Sequence, residues 1–358
     1  MSTPTILGGP AAWRGSDLLA ERDWIRPLSK AAIDELDRAV TALRQRGTPY
    51  REIARGDVRF DRLAGELAAA AEALENGRGV VKLTGVPVDR YDDADLRRLF
   101  WAIGLHLGTP VYQSARGELM GLICDEGSQV GQIRGQMVDK SGQAFLSSRA
   151  RAQSPQLLRW HTDRTDVVGL LCAGVAAEGG ISRVASAVAI HDEMVRRRPD
   201  LAAALYGDIT RSRLGEEAGG GEATYDLPVF TVCDGKFASH YSRTYVEAAQ
   251  NLPGATPMTE QQWAALDLLA ELGDELCFEM ELDKGDIQLL NNHVIYHARG
   301  EFRDDPATGR IRRLYRLWLA MPNSRDLPQA FEVLFGAIEG GVLRGGILQP
   351  EDGSRTPL

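Results

Sequence analysis

Cysteine is scarce in this 358-residue chain, and the four present, Cys124, Cys172, Cys233 and Cys277, form no close pairs. A disulfide-stapled fold and a thiolate zinc site both need clustered thiols, so neither is expected, and a reducing, cytoplasmic setting fits. No apolar run approaches the ~20 residues that cross a bilayer, and no secretory leader is visible. Positive charge is short as well: 41 Lys and Arg stand against 50 Asp and Glu, a net charge of −9. That balance disfavours nucleic acid or an anionic membrane as a partner. The run Arg196-Arg197-Arg198 reads as a solvated helix end. The GxxxxGK[ST] order of a phosphate-cradling loop is missing, and no internal repeat is found.

What is present describes an ordinary globule. Hydrophobic residues make up 44% and charged residues 25% of the chain, enough for a sizeable core. One domain over 1–358 is expected, with a helical part at about 1–78, a β-rich core at about 79–325 and a tail at 326–358. Ser29 can cap a helix bearing Ile33, Leu36, Val40 and Leu43, with Gly47 to end it. A second helix carries Leu63, Leu67 and Leu74, and "GVVKLTGV" from Gly79 turns to a β-branched strand. An aspartate cap then opens a helix with Leu96, Leu99, Phe100 and Ile103 on one face.

Between about 117 and 190, short apolar runs such as "LMGLIC" and "VVGLLCAGVAA" alternate with Gly, Ser and Asp, a β-rich texture. Ser186 opens a helix that must stop or kink near Pro199. "GEEAGGGEATYD" (215–226) reads as a flexible loop, and "PVFTVCDGKFASHYS" as a hairpin turning at Asp234-Gly235. Thr259 and Gln262 form a capping box for a helix that Gly273 is placed to end. "GDIQLLNNHVIYHARGEF" and "RIRRLYRLWLAMP" read as two adjacent strands joined by a polar loop around Asp304-Asp305-Pro306.

Six histidines and 50 acids give roughly 0.8 accidental H-x-[DE] matches, so a single match carries no weight. Two occur, and geometry separates them. His191-Asp192-Glu193 lies in a helical pattern, where residues two apart diverge by about 200°. His161-Thr162-Asp163 enters a β-like run, where residues i and i+2 face the same side and can converge on one ion. A third ligand must come from elsewhere. His297 is the leading candidate and His293, on the same parity, competes with it; spacing does not choose between them. Two histidines and one carboxylate form the facial set suited to non-haem Fe(II), with three positions left open. His106 and His240 have no acid nearby and read as structural.

An Fe(II) oxygenase that uses a 2-oxo acid must also bind a dianion, and a guanidinium offers a planar fork matched to a carboxylate. In "RIRRLYRLWLA", Arg316 lies between Tyr315 and Leu317, where an unpaired charge is costly. Arg312 stands four residues earlier on the same parity. The same three metal ligands with a bound water would serve a zinc hydrolase, and a cupin-like binding protein would need no chemistry at all.

Taken together, "WHTD", "GGIS" (Gly179 to Ser182), "GDIQLLNNHVIYHAR" and "RRLYRLWL" resemble the taurine dioxygenase and clavaminate synthase-like group of Fe(II)/2-oxoglutarate oxygenases. The likeness runs in order over roughly residues 79 to 325. It implies an α+β chain with a mainly β core, a double-stranded β-helix (jelly-roll) with flanking helices and the metal at one open end. It implies His161, Asp163 and His297 as iron ligands, His297 being preferred because Asn292 matches the asparagine that precedes the family's distal histidine. Ser182 falls where the family has a threonine hydroxyl on 2-oxoglutarate. Arg316 resembles the arginine on the distal carboxylate, and Arg312 the one near the metal-bound carboxylate.

The cofactors so implied are Fe(II), 2-oxoglutarate and O2, with decarboxylation to succinate and hydroxylation of an unactivated C–H bond. The acid at 163 fills the position that a halogenase leaves open for halide. The expected substrate is a small molecule, anionic or amino-acid-like, with Arg149, Arg151, Arg164 and Arg243 as candidate anchors.

Overall fold

A computed structural model describes residues 4–134, 136–138, 144–213 and 223–357. Eleven strands build the core: β1 (Ile25–Pro27), β2 (Val80–Thr84), β3 (Thr109–Pro110), β4 (Met120–Ile123), β5 (Leu158–His161), β6 (Val167–Gly174), β7 (Ser182–Ser186), β8 (Phe278–Met280), β9 (Ile287–Asn291), β10 (Ile295–Arg299) and β11 (Arg313–Ala320). The major sheet runs β1-β2-β9-β6-β11-β3, with β4 also paired to β11, and the minor sheet runs β8-β7-β10-β5. Only the β1–β2 pair is parallel. The other pairs of the two sheets are antiparallel.

Strand parity explains how the sheets face one another. On β11, Tyr315, Leu317 and Leu319 join the cluster formed with the N-terminal helices, while Trp318 joins the cluster containing Val184 and Ile295 of the minor sheet. Strand β9 divides the same way, with Ile287 and Leu289 outward and Leu290 inward. Even positions of β11 therefore look between the sheets. Both faces of the major sheet are covered, so its strands read as continuous apolar runs.

The outward face is covered by α1 (Lys30–Arg46), α2 (Arg62–Asn76) and α3 (Asp93–Leu107). Ser29 and Asp92 accept from Ala32 N and Asp95 N, and Gly47 closes α1 at φ 67°. Behind the minor sheet lie α4 (Ala187–Arg197), which Ser186 caps and Pro199 follows, and α5 (Glu260–Leu276). Asp234 and Gly235 both take positive φ, 48° and 77°, as the expected hairpin turn requires. No helix among the described residues is long and apolar enough to cross a membrane.

Three expectations need correction. Gly273 does not end its helix: α5 continues to Leu276, and Gly273 is there because a Cβ would meet the Trp160 indole at 2.9–3.1 Å. The two strand-like segments near the C-terminus are not neighbours. β10 lies in the minor sheet and β11 in the major one, because the intervening loop crosses from one sheet to the other. Within the proposed flexible loop, Thr224–Leu227 is a strand paired with Ile209–Ser212, and residues 214–222 lie outside the described residues.

Candidate metal centre and its cavity

Strand β5 ends at His161, whose Cα partner on β10 is His297. Their rings lie 4.1 Å apart between centroids. The chain turns inward after His161 and delivers Asp163 to the same point. His161 Nε2 is 3.9 Å from Asp163 Oδ1, and His297 Nε2 is 3.8 Å from Oδ2. Ligand-capable atoms of all three residues fall within 4.8 Å of one another, and each side chain is buried.

The surroundings hold these groups in orientation. His161 Nδ1 is 2.8 Å from the Arg159 carbonyl, which makes Nδ1 the protonated nitrogen and leaves the Nε2 lone pair turned to Asp163. The Trp318 indole N–H donates to Asp163 Oδ2 at 2.9 Å, and the Asp163 N–H donates to Asn292 Oδ1 at 3.0 Å. Burial holds both imidazoles below their ordinary pKa, His297 down to about 3, so both are neutral. Burial pushes the Asp163 carboxyl up. The Arg316 guanidinium close by and the Trp318 hydrogen bond oppose this, and the group stays below the usual carboxylate range. Two neutral imidazoles and an ionised carboxylate on one side of a point are a donor set for a divalent cation, with room for further ligands opposite. The residues fit an Fe(II) ion.

His293 is committed elsewhere. Its Nε2 lies 2.8 Å from Asp166 Oδ1, which also accepts from Arg344 Nε at 2.9 Å, and the Met321 N–H donates to Oδ2. His191 is a core residue held between Asp192 and Tyr206. His106 bonds the Ala102 carbonyl within its own helix.

The two arginines stand in the reverse of the order that the resemblance implies. Arg316, half-buried on β11, is the one whose charge His161, Asp163 and His297 all feel. Its Nε donates to Gln113 Oε1 at 2.7 Å, and its guanidinium lies over Trp318. Arg312 is the buried one, set four residues further from the metal end against the Gly179-Gly180 turn and the Phe302 ring. Ser182, on β7, bonds the Gln288 amide.

A narrow cavity is lined by His161 and Asp163, and Arg149, Arg164, His240, Arg316, Trp318 and Leu334 are among its other walls. Arg149 and Arg164 are therefore where an anchor would sit. Arg151 donates to the Leu146 and Leu157 carbonyls, and Arg243 is paired with Glu247 and Asp267, so neither faces the cavity. Trp160 does not shape it: its indole points at Asp274 and α5. Sequence reasoning missed Trp318, Gln113 and Leu334. The parity Trp318 shares with Arg316 was the only available sign of the first.

The family model described as "Taurine catabolism dioxygenase TauD, TfdA family" matches residues 28–318. The chain belongs to this family, and it is a non-haem dioxygenase that uses Fe(II), 2-oxoglutarate and O2. FR-33289 synthase of Streptomyces rubellomurinus is 28% identical over 325 residues, 89% of this chain and 92% of that protein. The taurine hydroxylase-like protein SAT17 of Stachybotrys chartarum is 26% identical over 340 residues, 91% of this chain and 85% of that one.

Among solved structures, asparagine oxygenase with Fe(II), 2S,3S-3-hydroxyasparagine and succinate superposes with a TM-score of 0.63 at 17% identity, covering 83% of this chain and 93% of that one. The non-heme iron oxygenase OrfP with Fe and α-ketoglutaric acid gives 0.57 at 15% identity, covering 89% and 99%. These likenesses establish the double-stranded β-helix fold.

Proposed function

We propose that His161, Asp163 and His297 hold the Fe(II), and that the enzyme hydroxylates an unactivated C–H bond of a small anionic molecule while 2-oxoglutarate is decarboxylated to succinate. The observation that carries this reading is the convergence of those three side chains, of which His161 and Asp163 line a cavity also walled by Arg149, Arg164 and Arg316. Bound iron supplies the redox chemistry that couples O2 to both oxidations.

The chain's own groups bind, orient and shield. Arg312 and Ser182 receive the distal end of 2-oxoglutarate, and Arg316, beside the metal set, takes negative charge close to it. Trp318 fixes the carboxylate of Asp163 through its N–H. Asparagine oxygenase and OrfP have been solved with hydroxylated amino acids. An amino acid is the second reading for this chain, and the cationic cavity walls favour an acid. The test is 2-oxoglutarate-dependent O2 uptake and succinate release over a panel of small acids and amino acids. Iron-dependent succinate release supports the reading, and a metal-dependent hydrolysis without O2 uptake would overturn it.

A further inference from the structure

Two arginines are buried at the end of the inter-sheet space away from the metal ligands. Arg299 is 4% exposed and Arg312 7%. Among the described residues neither forms an ion pair, and the terminal nitrogen Nη1 of each is buried without a hydrogen-bond partner. Both guanidiniums lie against one ring, that of Phe302, at 4.7 and 5.4 Å. A buried cation without a counter-ion is costly, and two side by side more so, so the pair is suited to an anionic ligand.

Register places a hydroxyl beside one of them. On β7 and β10, Val184 is opposite His297 and Ser182 is opposite Arg299. Directly paired residues share a face, so Ser182 and Arg299 lie together one pleat repeat, roughly 7 Å, below the level of His297. Arg312 approaches from the neighbourhood of β11, where a Cβ on Gly180 would stand 3.2 Å from its Cδ and 3.3 Å from its Nε. A five-carbon keto diacid held by the metal at one end reaches this level with the other.

We propose that Arg299 is a second guanidinium on the distal carboxylate of 2-oxoglutarate, closing with Arg312 and Ser182 around it. This rests on the reading of the metal centre given above. Arg299 also has a structural duty: its Nη2 donates to the carbonyls of Arg151, Ser154 and Gln156, at 2.9, 2.9 and 2.6 Å, and so fastens the turn before β5. The experiment must separate the two roles.

Calorimetric titration of the anaerobic Fe(II)-loaded protein compares 2-oxoglutarate with 2-oxopentanoate, in which a methyl group replaces the distal carboxylate. Wild type should prefer 2-oxoglutarate strongly. Arg299→Met should cut that preference about tenfold or more, with 2-oxopentanoate affinity changed by less than about threefold, the worth of one charge-assisted hydrogen bond. Equal loss of both ligands, or an unchanged preference, assigns Arg299 to the turn alone and overturns the proposal. Where the methionine variant does not fold, Arg299→Lys decides: a preference lowered about threefold or more supports the proposal, and an unchanged one overturns it. Absence of any preference in wild type would instead overturn the assignment of the 2-oxoglutarate site itself.

Discussion

The Trp318 indole, on the major sheet, donates its N–H to the Asp163 carboxylate at 2.9 Å. Asp163 reaches that point from the turn after the minor-sheet strand β5. One hydrogen bond thus spans the two sheets at the metal centre and fixes which carboxylate oxygen remains free. Trp318→Phe keeps the ring and removes the donor. Loss of such an outer partner costs about 10- to 100-fold in metal affinity. Anaerobic Fe(II) titration should show a weakening of that order at unchanged thermal stability, and affinity equal to wild type would mean that Trp318 only packs.

Gly273 faces the Trp160 indole inside α5, where a methyl group would stand 2.9–3.1 Å from ring atoms. Alanine gains about 1 kcal/mol of helix propensity over glycine. Overpacking a buried ring that is itself hydrogen-bonded to Asp274 costs about 1–3 kcal/mol. Gly273→Ala should therefore be neutral to destabilising in urea unfolding by up to about 2 kcal/mol, and a gain in stability would show that the ring yields freely.

Asp166, three residues beyond the proposed ligand Asp163, binds His293, Arg344 and the Met321 N–H in full burial. Burial raises its pKa, but His293 and Arg344 outweigh that and hold it below the ordinary carboxylate value. The folded value is the lower one, so its contribution is present above the unfolded pKa and is lost as pH falls through the folded one. Arg344→Met leaves that carboxylate short of a charged partner and should cost about 3–5 kcal/mol at neutral pH. Urea unfolding at neutral and acid pH should show the difference between wild type and variant narrowing on acidification. A constant difference would mean that Arg344 acts through its hydrogen bonds to the Arg325, Ile338 and Glu339 carbonyls alone.

Much of the architecture was legible in the chain, for identifiable reasons. Caps at Ser29, Asp92, Ser186 and Thr259 are local interactions, so sequence spacing suffices to find them. His161 and Asp163 come from one extended segment, and period two places both on one side. What could not be read is what depends on sheet membership. Nothing local says that β10 and β11 lie in different sheets, and with that unknown the depths of Arg312 and Arg316 could not be ordered. Arg299 gave no signal in the sequence, because what marks it is its contact with the carbonyls of a turn at 151–156, remote in the chain.

Arg149 faces the cavity, whereas Arg243 is paired outside it with Glu247 and Asp267. Once an acidic substrate is in hand, Arg149→Met should raise its KM about tenfold with the KM for 2-oxoglutarate unchanged, since a charge-assisted contact is worth about that much. Arg243→Met should leave both unchanged. Steady-state kinetics of the two variants check this, and equal effects would remove Arg149 from the substrate site.

The ligand set is tested most directly by anaerobic titration of the protein with Fe(II) and 2-oxoglutarate, following the visible charge-transfer band of the chelate. The band should form in wild type and in His293→Gln, which keeps a hydrogen-bonding amide beside Asp166, and should be lost in His161→Ala and His297→Ala. A band that survives in His297→Ala and vanishes in folded His293→Gln would contradict the account.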